Sequence, residues 1–386
     1  MRGAWRWLGR LLAIGVISFA LLEIASRILF RYVPSLASHN TDAAWRLIWA
    51  NRRHDAGTWE FYAPLEMHDP LLGWKNRPNF RNRGPLFGAD RVTTNSKGAR
   101  GQVEYEYRRN GRKRIVVVGD SFAFGHDVND EEAYAVLLGS SLPDTEVINL
   151  SVVGYGIDQM LLMITSEALK YSPDLIIVGF ISDDIERNLV SFRNFAKPRF
   201  VRDAAGRLTL LATPVPPPDA WMAQEPWRPK ALDTLEIIAS DIDRLAGTRR
   251  TRAFQLTWSL WNEMARVAHE ARAEILFVFE PSGSEILLDR RADLVTPDSQ
   301  AYRSNRDYFT SRALSIDRFG EKLFVDFTEK ERVASLNLAP AFRDLHERGE
   351  KRVNRKGHWN AFGHAVAAAE IVKMLQARGW PDKALR

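Results

Sequence analysis

The chain has 386 residues, 45% apolar and 26% charged, which is enough to bury a substantial core and unlike a disordered or repetitive protein. It has no cysteine, which excludes a disulfide framework, a thiolate metal site and a cysteine nucleophile. A formal charge of +6 favours acidic surfaces such as lipid headgroups or anionic glycans, but no helix-turn-helix, zinc-finger or aromatic RNA-binding motif accompanies it, so no nucleic-acid partner is expected.

Residues 1–32 read as a signal anchor, a single transmembrane segment. Between Leu11 and Leu22 only Ser18 is polar. Glu23 and Arg27, four apart, can pair on one helix face and so extend the span to Phe30, near the twenty or so apolar residues a bilayer requires. Arg2, Arg6 and Arg10 precede the apolar run and place the N-terminus in the cytoplasm by the positive-inside rule, leaving the body of the protein on the periplasmic side of the inner membrane. A cleaved signal peptide is the alternative, although no clear Ala-x-Ala site follows.

Residues 33–110 form a juxtamembrane extension rich in Trp, Arg, Pro and Asn. Its turn-rich stretches, Asp69–Asn79 around Trp74 and Thr94–Gly101, are expected to pack on the main domain and could also line its cleft.

From 111 to 386 strands and helices alternate. Ile115–Val118 reads as a strand stopping at Gly119-Asp120-Ser121-Phe122-Ala123-Phe124-Gly125, which sets a serine at the carboxyl edge of a sheet, where open α/β folds place ligands. A helix is expected over Asp130–Leu142, then the block Val147–Gln159 and a helix over Gln159–Tyr171. Leu175–Phe180 is a strand ending in Ser182-Asp183-Asp184-Ile185. The pattern breaks at about 190–228, an insertion with a hairpin over Phe200–Leu210 and a proline-rich loop over Pro214–Pro218. Helices follow over Pro229–Leu245 and Phe254–Arg272, strands over Glu274–Phe279 and Lys322–Phe327, and a closing helix over Ala361–Ala377 behind Gly357-His358-Trp359-Asn360-Ala361-Phe362-Gly363-His364. This alternation predicts a three-layer, doubly wound parallel sheet.

The serine turn, the Gly154 block, the Asp183-Asp184 block and the His358 block, in this order, resemble the SGNH (GDSL-type) hydrolase superfamily over roughly Arg114–Leu375. The resemblance implies a flavodoxin-like fold and ester hydrolysis, with Ser121 as nucleophile and His358 as its base. It also implies an oxyanion hole built from the Ser121 and Gly154 N–H groups and a third-block side chain, which here is Asp183 in place of the family's asparagine. Asp120, Asp184 and Asn188 are candidates for support. His364 is expected to be structural, and Asn360 to tie down its loop.

Two departures stand out. An ionised Asp183 cannot donate to an oxyanion, and only a protonated one could stand in for asparagine. The family's acid, two or three residues before the histidine, is replaced by Lys356 and Arg355; Asn354 or a distant carboxylate such as Asp326 is a substitute to test. Arg343, Arg348, Lys351, Arg352, Arg355 and Lys356 make the approach to His358 basic, suited either to an anionic polymer or phosphate headgroup or to plain solvation. No cofactor or metal is expected, because no metal-ligand spacing or phosphate loop occurs. The leading expectation is an esterase acting on an acyl ester of a cell-surface glycan or lipid. A weak or inactive relative that binds glycan or envelope partners, and an acyltransferase, are the alternatives.

Overall fold

The computed structural model describes residues 2–32, 41–56, 64–286, 319–350, 354–355 and 357–382. Helix α1 (Arg2–Tyr32) contains a 28-residue segment, Trp5–Tyr32, long and apolar enough to span a membrane, about 42 Å at 1.5 Å per residue. Glu23 and Arg27, which interrupt its apolar run, are both engaged. Arg27 Nε donates to Glu23 Oε1 at 2.6 Å, and Glu23 Oε2 accepts the backbone N–H of Ala231 at 2.7 Å, so the polar end of the apolar helix is also where the rest of the chain docks. Ser26 and Thr234 add a hydroxyl pair at 2.8 Å.

Helix α2 (Asp42–Ala56) precedes the central sheet, whose strands are β1 (Lys113–Gly119), β2 (Thr145–Asn149), β3 (Leu175–Phe180), β4 (Glu274–Phe279) and β5 (Ser335–Asn337). All are parallel, in the order β2-β1-β3-β4-β5, the doubly wound order whose switch point lies between β1 and β3. The β-branched runs Ile115–Val118 and Leu175–Val178 are wholly buried because helices cover both faces. On one face α4 (Tyr134–Ser141) and α12 (Ala361–Ala377) pack Tyr134, Leu138, Ala367 and Ile371 against Ile115 and Val117. On the other, α5 (Ile157–Ser166), α9 (Thr248–Glu270) and α10 (Phe319–Glu331) pack Met160, Trp261 and Phe324 against Val116 and Val118.

Residues Lys322–Phe327, expected as a strand, belong instead to α10. Leu323, Phe324 and Phe327 recur at helical spacing and are buried beside Trp261, whose ring centroid lies 4.9 Å from that of Phe327, while Lys322 pairs with Asp326 one turn on at 2.9 Å. The fifth strand is the shorter Ser335–Asn337.

The stretch before β1 packs on the loop after β2. Trp74 Nε1 donates to the Val153 carbonyl at 3.0 Å, the Tyr155 hydroxyl to the Trp74 carbonyl at 2.6 Å, and Asn76 Nδ2 to the Ser151 carbonyl at 3.0 Å. In the segment between α6 (Ser182–Arg187) and α7 (Pro218–Gln224), a fully buried ion pair of Lys197 with Asp158, together with Lys197 donating to the Arg187 and Val190 carbonyls at 3.2 Å, ties the chain to the start of α5. A lone buried ammonium would be prohibitive, so this pair fixes the path of the insertion past the end of the sheet. Helix α8 (Lys230–Leu245) then carries the chain back to α1.

Candidate active site

β1 ends at Gly119, where a side chain has no room, since a Cβ would lie 2.6 Å from the Gly179 carbonyl oxygen of β3. The chain then enters a single helical turn, α3 (Ser121–Phe124), whose N-cap is Asp120: its Oδ1 accepts the Phe122 N–H at 2.8 Å. Gly125 ends the turn in the left-handed region with φ +86°. The serine side chain is thereby held at the β1–β3 switch point. Ser121 Oγ lies 2.9 Å from His358 Nε2, across 237 residues of sequence, whereas Asp120 Oδ2 at 3.5 Å is too far to compete.

His358 lies on a two-residue strand held by the fully buried Trp359, whose Nε1 donates to the Pro281 carbonyl at 3.0 Å. Asn360 caps α12, its Oδ1 accepting the Gly363 N–H at 3.0 Å, and the buried His364 faces the Tyr134 N–H at 3.4 Å. The His358 ring sits between Phe122, 4.9 Å away, and His126, stacked at 4.1 Å and 23°. Phe87, from the N-terminal extension, stacks on the far face of His126 at 4.1 Å. Burial, and then the positive potential of His126, Arg187, His364 and Arg193, push the His358 pKa well below the ordinary histidine value. Ser121 thus faces a neutral imidazole near pH 7.

The third block behaves differently from the other two. Asp184 is fully buried, caps its own helix by accepting the Ile181 N–H at 3.0 Å, and pairs with Arg187. Arg187 also reaches the Tyr155 carbonyl at 2.9 Å and Asp120 Oδ2 at 3.3 Å. One guanidinium is shared by two buried carboxylates. Burial, and for Asp184 also the charge of Asp120, raise both their pKa values. Glu280, at the end of β4 and likewise buried, is pushed well above its ordinary range by burial and then by Asp120. Asp183 is about one-third exposed, 3.9 Å from Arg187 Nη2. Asn188 accepts the Asp158 N–H at 3.0 Å and donates to Thr257 Oγ1 at 2.9 Å, so both ends of its amide are engaged in packing.

Gly154 has φ +84°, and a Cβ there would fall 2.6 Å from Asn194 Nδ2. Asn194 comes from the insertion. Its Oδ1 accepts from Arg193 Nη1 at 2.6 Å, which orients the amide, and its Nδ2 meets Glu66 Oε1 only at 3.4 Å. Neither Asn194 nor His126 and Asp127 is among the site residues expected from sequence. His126 and Asp127 directly follow the serine turn, and that adjacency was the available signal; nothing in the sequence marks Asn194.

Lys356 lies outside the described residues, as do the side chains of Asn354 and Arg355. Asp326 is half exposed and paired with Lys322, remote in role from the imidazole. Of the basic run, Arg343 pairs with Glu321 and Arg348 with Asp344, while Lys351 and Arg352 are outside the described residues.

No protein-family model matches the chain, and no curated protein matches it. Solved structures that match include G-D-S-L lipolytic proteins and esterases. One is a member of the lipolytic G-D-S-L family from Veillonella parvula (12% identity, 68% of this chain and 98% of that one, TM-score 0.39). Others are an acetyl xylan esterase (11%, 67% and 98%, TM-score 0.35) and the psychrotrophic esterase EstA from Pseudoalteromonas (12%, 69% and 97%, TM-score 0.35).

Proposed function

We propose that the protein is a membrane-anchored serine esterase of SGNH type that removes acyl groups from an envelope glycan or lipid. The observation that carries this reading is the 2.9 Å contact between Ser121 Oγ and His358 Nε2 at the switch point of the sheet. As the Ser121 oxygen forms its bond to the acyl carbonyl carbon, its proton passes to Nε2. The tetrahedral intermediate collapses when Nε2–H returns that proton to the departing alcohol oxygen. Water, deprotonated by the same nitrogen, then releases the acid and restores Ser121.

For the oxyanion, the reading takes the backbone N–H groups of Ser121 and Gly154 and gives the third place to the Asn194 amide, which lies against Gly154. Asp183, turned toward Arg187 and solvent, takes no part as a donor. The apolar α1 segment supports anchoring, with the catalytic body on the periplasmic side.

The test is hydrolysis of p-nitrophenyl acetate by the full chain in detergent, compared with Ser121→Ala. We expect activity in the wild type and none above background in the variant. Equal rates would refute the esterase reading and leave a binding role. A C-terminal alkaline-phosphatase fusion tests the topology: a stably expressed but inactive fusion places the body in the cytoplasm.

A further inference from the structure

A serine hydrolase base needs more than contact with its nucleophile, because the imidazolium formed in the transition state must be held in place and neutralised by an acid. The two positions that the family pattern assigns to that acid hold Arg355 and Lys356. The turn after α3 brings a different carboxylate. Asp127 has φ +71°, a left-handed conformation that Asp tolerates better than most residues, and its Oδ1 lies 2.9 Å from His126 Nδ1. One oxygen of Asp127, one ring nitrogen of His126 and one of His358 all lie within 4.8 Å of one another.

Two further observations single out this cluster. His126 Nδ1 lies 2.9 Å from Asp127 Oδ1 without the alignment of a hydrogen bond, and Asp127 Oδ2 is buried beside it with no hydrogen-bond partner. The rings of Phe87, His126 and His358 also form one continuous stack. The stack, closed by Phe122 on the other side, blocks the His358 ring from tipping out of plane and keeps Nε2 aimed at Ser121. Parallel rings carry their nitrogen lone pairs side by side, an arrangement poorly suited to converging at about 2.1 Å on one metal ion. It is well suited to placing an anionic carboxylate beside a transient imidazolium.

We propose that Asp127, carried with His126 on the turn that follows the nucleophile, is the positioning carboxylate for His358; this rests on the serine-esterase reading above. The charged and titratable groups facing His358 are His126 and Asp127 from that turn, Arg187 from α6, Arg193 from the insertion and His364 from α12. Asp127 is the carboxylate among them.

The experiment is the rate at which a fluorophosphonate probe labels Ser121, measured against pH on the full chain in detergent for wild type, Asp127→Asn, His126→Phe and Ser121→Ala. Asn keeps the shape and accepts the left-handed backbone. Removing the anion disfavours the imidazolium, so Asp127→Asn is expected to slow labelling roughly 10- to 100-fold and to move the acid limb about one pH unit lower. The slowing is smaller than in the protease template because Asp127 acts through charge and not through a direct hydrogen bond. His126→Phe keeps the stack but removes the imidazole whose potential lowers the His358 pKa, so its limb moves higher. A limb that stays in place in both variants overturns the proposal, and so does slowing by Asp127→Asn without a shift, which is the mark of a merely structural role. Wild-type labelling of Asp127→Asn with none of Ser121→Ala sinks this inference alone, whereas equal labelling of wild type and Ser121→Ala sinks the esterase reading and this proposal with it.

Discussion

Asn194→Ala is the sharpest perturbation of the proposed oxyanion hole, because it deletes an amide without touching the nucleophile or the base. The carbonyl of Asn194 is pinned by Arg193 at 2.6 Å, and its amide packs over Gly154, where a Cβ would stand 2.6 Å from Nδ2 and 3.0 Å from Oδ1. If that amide donates to the developing oxyanion, its loss lowers kcat by about 10²–10³, or about 2.7–4 kcal/mol of transition-state stabilisation. Gly154→Ala perturbs the same contact from the other side, since its methyl group displaces the amide and the φ of +84° adds roughly 1–2 kcal/mol of backbone strain. The two changes should therefore be strongly non-additive in kcat, with the Asn194 substitution costing little once residue 154 carries a methyl group. The assay is saturating p-nitrophenyl acetate, with rates normalised to the sites labelled by fluorophosphonate so that loss of folded protein is not counted as loss of catalysis. Retention of kcat within threefold by a folded Asn194→Ala protein would refute the assignment of the third donor.

Two predictions concern pH. Glu280 is fully buried, and burial followed by the charge of Asp120 raises its pKa well above the unfolded value of about 4.3. Between those two values the folded chain retains a proton that the unfolded chain has released, so stability is full below about pH 4.3 and falls by about 1.4 kcal/mol per pH unit above it. Glu280→Gln should make the decline above about pH 4.3 shallower; a pH dependence of urea unfolding that is identical in the two proteins would contradict it. For His358 the shift is downward, from burial first and then from His126 and Arg187, so the neutral base persists in acid and the acid limb of kcat/KM lies below pH 6.5. A limb at or above 6.5, measured from pH 4 to 8, would show that the base is not buried as described.

The sheet was legible because its signals are local and redundant. Ile115–Val118, Leu175–Val178 and Glu274–Phe279 are runs of β-branched and aromatic residues that stop at turn signals, and a strand buried on both faces needs no other pattern. The expectation that Ser121 and His358 meet came from a different source, the resemblance of their two blocks to the SGNH pattern and not any local signal linking residues 237 apart. Lys322–Phe327 misled because a short apolar run fits either period. The helix is decided by Trp261 from α9, which supplies a surface for Leu323, Phe324 and Phe327, a tertiary fact absent from the six residues themselves.

The two groups proposed to fill the departures were missed for different reasons: Asn194 arrives by a tertiary route, whereas Asp127 follows Ser121 by only six residues and was passed over. Asn194 reaches Gly154 only because the buried pair of Lys197 with Asp158 ties the insertion down three residues further on. Phe87 reaches His126 only because the extension is sewn to the loop after β2 by Trp74, Tyr155 and Asn76. Each tether fixes a backbone path, and each path delivers one side chain to the serine's surroundings. On this reading the residues at 183, 355 and 356 were free to change because a donor had become available from the insertion and a carboxylate from the turn after the nucleophile. Restoring the family's own residues, by Asp183→Asn or Lys356→Asp, should then raise esterase activity only slightly in the intact protein. Either change should raise it much more in a background lacking Asn194 or Asp127 respectively. Equal gains in both backgrounds would mean that the two sets of residues act independently, and that the tethers position nothing the reaction uses.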